Sequence, residues 1–326
     1  METISVIGAG AWGTAIAQAL ASAGKDITLW AREDEVVNSI NSKHENTMFF
    51  PGVALDEKIK ATSSISDARQ SDLLIMVTPA QALRDVCVSL RHEDMKDKTM
   101  LICSKGFEIG TGMLLSDVAK QELPNTRIAV MTGPTFASDI GAGLPAAMTI
   151  AAETKDIAEE LRHFIGTKGL RPYATDDMVG TQIGGAAKNV IAIAAGVVMG
   201  KGLGESARAA LITRGVAELA RLTSAMGGRK ETLIDMCGMG DLILTCTSMQ
   251  SRNYSFGFML GQGKDINEIL EERNAVTEGY YSSKALVTLA KNQAVDMPIA
   301  EIVYRCLHDG LSIDAAIEAM LSRPFN

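Results

Sequence analysis

The stretch from residue 3 to residue 20 reads TISVIGAGAWGTAIAQAL. Its first five residues form a largely β-branched run typical of a strand, and its last seven have helical spacing. Between them Gly8, Gly10 and Gly13 form a GxGxxG turn, which indicates dinucleotide binding when it joins a strand to a helix. The first glycine permits the tight turn, the second lets the backbone approach a diphosphate, and the third lets helix and strand pack closely. The alternative is a glycine-rich turn in an α/β protein that binds no nucleotide.

Length, composition and charge indicate a soluble globular protein of two domains. The 326 residues include 47% apolar and 21% charged side chains, which is typical of such proteins. The net charge of −8 argues against nucleic acid as a partner, because no block of lysine or arginine offsets it. A small anionic ligand, held by a few local cations, is still compatible with this charge.

Cysteine and histidine usage indicates neither a disulfide framework nor a metal centre. The five cysteines include no CxxC pair and the four histidines lack metal-ligand spacing, so we expect reduced, mostly buried thiols and no bound metal. Glu2 stands where a signal peptide would carry a cation, and Gly8 interrupts the apolar run that follows. The most apolar later stretch, residues 190–200, has about half the length of a bilayer span. We therefore expect a cytoplasmic protein with no membrane insertion.

Apolar runs of strand length recur through the first half of the chain. Residues 73–77, 100–103 and 128–131 are continuous apolar runs that alternate with helical segments, which predicts a mostly parallel sheet covered on both faces. Further strands are predicted at residues 26–30, 59–62, 146–151 and 170–175. The fold class is therefore α/β, with a Rossmann-type domain at residues 1–179. Ligands of such a sheet bind beyond the carboxyl ends of its strands.

The character of the sequence changes near residue 180. From there to the C-terminus helical spacing prevails, with almost no strand-like alternation. Helices are predicted at residues 180–200, 206–226, 232–236, 241–248, 254–260, 266–273, 282–292, 299–308 and 312–321. Residues 180–326 are predicted to form an all-helical substrate-binding domain that meets the first domain at a cleft.

The end of the second predicted strand bears on the choice of nicotinamide cofactor. NAD-preferring folds place an acidic residue here to bind the ribose 2′-hydroxyl. Arg32 could stack on adenine or pair with a 2′-phosphate, which favours NADP(H), whereas Glu33 could still serve NAD(H). We therefore expect NADPH or NADH, with NADPH favoured. Farther along, Phe49 and Phe50 could line a cofactor cleft, or their loop could bury them against the core.

Lys188 is the strongest candidate for a catalytic residue. It lies in an apolar predicted helix, and its helix face carries only small residues, among them Gly184, Gly185 and Ala192. Two glycines within a helix are costly and imply a packing or ligand reason. The alternative is a lysine that extends to solvent at a helix crossing.

Three further polar positions are candidate site residues. Lys105 follows a predicted strand at its carboxyl end, where a cation suits an anion or the nicotinamide, although a solvated loop lysine is the alternative. Asp241 begins a predicted helix and could be no more than an N-cap. Ser251, Arg252 and Asn253 precede another helix. A hydroxyl, a guanidinium and an amide at a helix N-terminus are typical of a phosphate site.

Taken together, these motifs resemble those of the NAD(P)-dependent glycerol-3-phosphate dehydrogenases of bacterial type over nearly the whole chain. The matching segments are residues 8–15, 104–108, 133–137, 185–190, 207–218, 238–248, 251–253, 256–257 and 276–279. The resemblance implies the reversible reduction of dihydroxyacetone phosphate to sn-glycerol 3-phosphate. It also implies that the product feeds glycerophospholipid synthesis and that the protein is a homodimer.

The resemblance further implies roles for individual residues. Lys188 would transfer the proton. Substrate contacts would come from Lys105, Gly133, Thr135, Lys188, Asp241, Ser251, Arg252 and Asn253. Cofactor contacts would come from the glycine turn and from Ala11, Trp12, Arg32, Phe49, Lys105, Ala137, Arg252, Val276 and Glu278.

Five positions depart from the family pattern. Thr135 stands where serine is usual, Asp139 where glutamate is usual, and Glu33 where bacterial members often have a basic residue. Met199 and Lys201 replace a more usual Asp-Gly-Leu setting, and nothing in the sequence explains that change. The acidic residue at position 33 argues against the preference for NADPH that Arg32 favours.

The implied reaction sets requirements that these residues would meet. Hydride reaches the ketone carbon and negative charge develops on the carbonyl oxygen, which needs a hydrogen-bond donor and then a proton. An ammonium group at Lys188 would supply both. The phosphate would be held by residues 251–253, so that remote binding energy orients the reacting carbon.

Two other functions fit parts of the same pattern. A β-hydroxyacid or 6-phosphogluconate-type dehydrogenase also pairs a Rossmann domain with a helical domain and a catalytic lysine. A non-catalytic NADP(H)-sensing protein would bind the cofactor without turnover, but it would leave Lys188 and residues 251–253 without a purpose. Cofactor oxidation with dihydroxyacetone phosphate, compared with a semialdehyde acid, separates these possibilities.

Overall fold

The computed structural model describes residues 1–272 and 277–323. Internal contacts divide the chain into two units. Unit 1 consists of Met1–Lys105 and Leu114–Met178, and unit 2 consists of Gly106–Met113 and Val179–Asn326. The domain boundary predicted after residue 179 stays a prediction, because unit 2 also takes in a segment that lies earlier in the sequence.

Unit 1 contains an eight-stranded sheet. Its strands are β1 (Ile4–Ile7), β2 (Ile27–Trp30), β3 (Ile59–Thr62), β4 (Leu73–Met76), β5 (Thr99–Ile102), β6 (Arg127–Thr132), β7 (Ala146–Ala152) and β8 (Leu170–Thr175). They lie in the order β3-β2-β1-β4-β5-β6-β7-β8, and all neighbours are parallel except β6 and β7. The predicted α/β class with a mostly parallel, Rossmann-type sheet is confirmed. Strand order reverses between β1 and β4, where sheets of this kind bind their ligands.

Seven α-helices accompany this sheet in the described part of unit 1. They are α1 (Ala11–Ser22), α2 (Asp34–Lys43), α3 (Ile65–Ala68), α4 (Leu83–Leu90), α5 (Leu115–Glu122), α6 (Ala137–Gly141) and α7 (Lys155–Ile165). Strands β1, β4 and β5 are buried at every residue, as continuous apolar runs predict. The main core joins strand residues such as Val6 and Ile75 to Ile16 of α1 and Leu161 of α7.

Strand β7 is antiparallel to β6. The connection between them, residues 133–145, contains one short helix, α6. Strand β8 is again parallel to β7, and helix α7 lies in the connection between these two strands.

After residue 178, the secondary structure of the described part of unit 2 is helical, as the sequence predicts. Its α-helices are α8 (Met178–Gly200), α9 (Glu205–Ala225), α10 (Asp241–Thr247), α11 (Arg252–Gly261), α12 (Ile266–Glu271), α13 (Glu278–Asn292), α14 (Pro298–His308) and α15 (Ile313–Leu321). The short helix predicted at residues 232–236 is instead a 3-10 turn, Lys230–Ile234, followed by a π-helical turn, Met236–Gly240.

Helix α8 forms the core of unit 2. Among the described residues it is the one helix whose length and composition would let it cross a membrane. However, 78% of its most apolar window is buried inside the structure, as is typical of a core helix. The helix is 23 residues long and extends well beyond the apolar stretch 190–200 that the sequence singles out.

Helices α8 and α11 meet through their backbones. A Cβ atom at Gly257 would lie 1.9 Å from the carbonyl oxygen of Ile193, and one at Gly196 would lie 2.1 Å from that of Tyr254. No residue larger than glycine fits this crossing without a shift of the backbone. The contact brings the start of α11 close to the middle of α8, the part of the helix that carries Lys188.

Glu218 on α9 is a buried carboxyl group that binds the end of another helix. Its oxygens accept hydrogen bonds from the backbone N–H groups of Ile299, at 2.8 Å, and Ala300, at 3.3 Å, in the first turn of α14. Burial raises the pKa of this carboxyl group from its ordinary value of 4.5 to about 7, although both donors favour the charged form.

We expect the contribution of Glu218 to stability to fall as the pH rises. A carboxyl group whose pKa is raised by folding stabilises the fold below its unfolded pKa of 4.5, and this contribution is lost as the pH passes about 7. The loss is about 3 kcal/mol at most. Urea unfolding of the wild type and of Glu218→Gln from about pH 5 to about pH 8 measures it, because glutamine does not titrate. A stability difference that stays constant over this range would contradict the prediction.

Candidate active site

The glycine turn between β1 and α1 has the geometry that a diphosphate requires. Gly8 has a φ of +119°, and its N–H donates to the carbonyl oxygen of Trp30 at 3.0 Å. A Cβ atom at Gly13 would lie 1.9 Å from the carbonyl oxygen of Gly8, so the helix can pack on the turn only with glycine there. Gly10 is the N-cap of α1, and a Cβ atom there would meet no atom within 4 Å. The space in front of this helix N-terminus is therefore open to an anion.

Alanine at two glycines of this turn is expected to have different consequences. Gly10→Ala should lower the affinity for NADPH roughly tenfold with little change in thermal stability, because the methyl group enters the space that a diphosphate would occupy. Gly13→Ala should destabilise the fold by about 1–3 kcal/mol or more, since its methyl group collides with the turn. Calorimetric titration with NADPH and thermal unfolding measure the two effects. An unchanged NADPH affinity in Gly10→Ala would mean that no diphosphate binds at this turn.

Four of the predicted site residues are linked at the carboxyl edge of the sheet. Lys105, after β5, donates from Nζ to the carbonyl oxygen of Gly133 at 3.2 Å. The hydroxyl of Thr135 donates to the same carbonyl at 3.4 Å and accepts a hydrogen bond from the indole N–H of Trp12 at 3.1 Å. A cation, a hydroxyl and an indole thus lie together within unit 1.

The other cofactor positions predicted in unit 1 lie near its surface. Arg32 is exposed and donates to the carboxylate of Glu33 at 2.9 Å. Phe49 is 39% exposed, whereas Phe50 is buried and packs in a small cluster with residues of α1 and α6. Of the two aromatic residues that could line a cofactor cleft, Phe50 therefore packs into the core instead. Ala137 is the first residue of α6.

Lys188 is buried and does not extend to solvent. Its residual exposure is 5%, and that of Asp241 is 1%. The ammonium group donates to the Asp241 carboxylate and, at 2.8 Å, to the hydroxyl of Thr245. A Cβ atom at Gly184, on the same helix face, would lie 2.6 Å from the carbonyl oxygen of Cys237. Close packing against this backbone therefore requires glycine at position 184. The direction of the ammonium group is fixed by two partners on α10.

Asn253 connects three helices beside this ion pair. Its amide nitrogen donates to the side-chain oxygen of Asn189 at 2.9 Å, and its amide oxygen accepts from the backbone N–H of Gly279 at 2.8 Å. Asn189 follows Lys188 on α8, and Gly279 lies in the first turn of α13. The start of α11 is therefore held next to the helix position that carries Lys188.

Residues 251–253 form the N-terminus of α11, as their order in the sequence predicts. Ser251 is the N-cap, and its hydroxyl accepts from the backbone N–H of Tyr254 at 3.2 Å. Arg252 is exposed, and Glu278 is the first residue of α13. Burial raises the pKa of Glu278 to about 7, and the positive charge of Arg252 opposes this shift. The predicted cofactor contact Val276 lies outside the described residues.

The sequence predictions did not include Thr245 and Asn189. Thr245 follows Asp241 by one helical turn, and this spacing places both side chains on one face of α10. That spacing was the available signal, but the apolar residues around Thr245 made it resemble a core position. Among the described residues, no group of three or more histidine, cysteine or acidic side chains could hold a metal ion.

Comparison with known proteins decides the family. Residues 3–158 match the family model described as NAD-dependent glycerol-3-phosphate dehydrogenase N-terminus, and residues 177–318 match the corresponding C-terminus. The chain is 50% identical over 322 residues to a glycerol-3-phosphate dehydrogenase (NAD(P)+) of Parvibaculum lavamentivorans, an alignment that covers 99% of this chain and 97% of that protein. This chain belongs to the NAD-dependent glycerol-3-phosphate dehydrogenase family.

Further members of the family are similar over the same length. A glycerol-3-phosphate dehydrogenase (NAD(P)+) of Rhodospirillum rubrum is 50% identical over 325 residues, which are 99% of this chain and 93% of that protein. The crystal structure of glycerol-3-phosphate dehydrogenase from Coxiella burnetii superposes with a TM-score of 0.92 at 35% identity, covering 99% of each chain. The family and fold inferred from the sequence motifs are thus confirmed, whereas the roles of individual residues stay predictions.

Proposed function

We propose that this chain catalyses the reversible, NAD(P)H-dependent reduction of dihydroxyacetone phosphate to sn-glycerol 3-phosphate. The observation that carries the proposal is the buried ammonium group of Lys188, bonded to Asp241 and Thr245 beside the polar N-terminus of α11. A phosphorylated ketone needs a proton donor and an anion site at a fixed separation, and neighbouring helices supply both. The glycerol-3-phosphate dehydrogenases that are 50% identical to this chain support the same substrate.

The proposal assigns one role to each part of the chain. Residues 1–179 would be the dinucleotide-binding domain, because the glycine turn leaves open space at the N-terminus of α1. Residues 180–326 would be the substrate-binding domain. When bound, the reduced nicotinamide supplies the hydride for the ketone carbon. The proposed cofactor contacts are Gly8, Gly10, Ala11, Trp12, Gly13, Arg32, Phe49, Lys105, Ala137, Arg252, Val276 and Glu278.

Lys188 would act on the carbonyl oxygen of the substrate. Its ammonium group would donate a hydrogen bond to that oxygen and then a proton as negative charge develops. Asp241 and Thr245 hold the ammonium group in one orientation, so no reorganisation is needed when the charge appears. In the oxidation of glycerol 3-phosphate, the neutral amine would accept the hydroxyl proton.

The phosphate group would bind at the start of α11. The guanidinium of Arg252 can bind two phosphate oxygens at once, and Ser251 and Asn253 add a hydroxyl and an amide at a helix N-terminus. Binding energy from this remote group would hold the ketone carbon in place for reaction. Lys105, Gly133 and Thr135 are the further proposed substrate contacts.

A spectrophotometric assay tests the proposed function against its two rivals. We expect oxidation of NADPH or NADH with dihydroxyacetone phosphate and none with a semialdehyde acid. Turnover of the semialdehyde acid alone would indicate a β-hydroxyacid or 6-phosphogluconate-type dehydrogenase. Cofactor binding with no oxidation by either substrate would indicate a sensing protein.

The cellular setting is part of the same proposal. We expect a cytoplasmic homodimer whose product supplies glycerophospholipid synthesis. The burial of α8, the one described helix that could span a membrane, supports a protein that is not inserted. Light scattering of the purified protein measures its mass against the 34.6 kDa of a single chain.

A further inference from the structure

The segment after β2 carries one cation followed by three carboxylates: Arg32, Glu33, Asp34 and Glu35. The guanidinium of Arg32 donates to one carboxylate oxygen of Glu33 through Nε, at 3.2 Å, and through Nη2, at 2.9 Å. Glu33 is also the N-cap of α2, and the two acidic residues that follow lie in the first turn of that helix. Two of the nitrogen donors that Arg32 would offer a phosphate are therefore turned toward a carboxylate of its own chain.

This segment lies beside the glycine turn. The N–H of Gly8 donates to the carbonyl oxygen of Trp30 at 3.0 Å, and Ile7 is in register with Trp30 in the sheet. In folds of this type, an acidic residue about 20 residues beyond the glycine motif binds the 2′-hydroxyl of the adenosine ribose. Glu33 follows Gly13 by that distance in the sequence. The 2′ position of a bound dinucleotide would thus meet Glu33 and Arg32 together.

We propose that Glu33 is a specificity-determining residue that moves cofactor selectivity from NADP(H) toward NAD(H). The inference rests on the proposed function insofar as a dinucleotide must bind at the glycine turn. Glu33 acts in three ways: it occupies N–H donors of Arg32, it repels the 2′-phosphate of NADPH, and its oxygens can accept a hydrogen bond from the 2′-hydroxyl of NADH. It thereby offsets the preference for NADPH that Arg32 would create alone.

The expected size of the effect follows from the charges. A phosphate monoester carries between one and two negative charges at neutral pH. Its repulsion by one carboxylate a few ångströms away, in solvent, changes affinity by about tenfold. Ion pairs exposed to solvent are individually weak, so the repulsion contributes more to this change than the loss of the Arg32 pairing does.

Calorimetric titration with NADH and with NADPH, in the absence of substrate, tests this inference. Glu33→Gln should raise the affinity for NADPH about tenfold and leave that for NADH unchanged or a few-fold lower. Arg32→Ala should lower the affinity for NADPH selectively. Glu35→Gln is the matched control, because it removes the same charge from an exposed residue of the same helix turn. The control should change the NADPH-to-NADH affinity ratio by less than about twofold.

Three outcomes would contradict the inference in distinguishable ways. If neither dinucleotide binds the wild type, the proposed function fails and this inference with it. If both bind but Glu33→Gln leaves the affinity ratio within about twofold, only the role of Glu33 fails. If Glu35→Gln changes the ratio as much as Glu33→Gln does, the effect is general electrostatics and Glu33 has no specific role. Unchanged thermal unfolding of the variants ensures that these comparisons report on binding.

Discussion

Replacing Lys188 with methionine is expected to lower kcat for dihydroxyacetone phosphate by roughly 10³- to 10⁴-fold. In the proposed mechanism the side chain would supply both the hydrogen bond that stabilises the developing charge and the proton that follows. Methionine has a similar length and flexibility, so the surrounding helices can pack against it. Because the change acts on the transition state, kcat should fall far more than KM rises. Steady-state kinetics with saturating cofactor measure both constants.

The control for this variant uses the partner of the lysine. Methionine at position 188 leaves Asp241 buried without its cation, which costs about 3–5 kcal/mol of stability. The double variant Lys188→Met with Asp241→Asn removes both charges and should regain most of that stability without regaining activity. If activity returned together with stability, Lys188 would have a structural role and the assignment as proton donor would be wrong.

Arg252→Ala is expected to raise KM for dihydroxyacetone phosphate roughly hundredfold, with a smaller change in kcat. The guanidinium would bind the phosphate, which does not react, so its loss weakens ground state and transition state alike. The sharper measurement compares dihydroxyacetone phosphate with unphosphorylated dihydroxyacetone. The wild type should discriminate strongly between these substrates, and the variant should lose most of that discrimination.

Two further measurements make this prediction specific. Arg252→Lys keeps a positive charge but not the planar pair of donors, so it should recover only part of the lost affinity. Because Arg252 is also a proposed cofactor contact, KM for NADPH is measured in the same variants. An equal loss of activity toward dihydroxyacetone phosphate and dihydroxyacetone would show that Arg252 does not bind the phosphate group.

Most of the fold could be predicted because its signals are local. Most strands of unit 1 are runs rich in apolar or β-branched residues, and such runs are visible without any knowledge of their neighbours. The direction of β7 is not local. Its residues are as apolar as those of a parallel strand, so no local pattern in the sequence gives its direction.

The same distinction between local and tertiary signals applies to the residues of the candidate site. Lys188 stands out in the sequence as a candidate, because a lysine among small residues of an apolar helix contradicts the ordinary pattern of a core helix, and its role stays a prediction. Its partner Thr245, 57 residues later, does not stand out, because its one-turn spacing from Asp241 is outweighed by the apolar residues around it. Asp241 had the local appearance of an N-cap, and only tertiary packing turns its carboxylate toward the lysine. The 2.9 Å contact between Asn189 and Asn253 likewise requires the crossing of α8 and α11.

The glycine crossing of α8 and α11 has a consequence for the range of substrates. Backbone atoms set the separation between the two helices that carry Lys188 and Arg252, and backbone atoms cannot be displaced as side chains can. If Lys188 and the start of α11 bind the two ends of the substrate as proposed, a phosphorylated ketone with one more carbon between its two functional groups should be a poorer substrate. The enzyme would thus select substrates by the distance between their ketone and phosphate groups. Substitutions in surface loops would not change this selectivity.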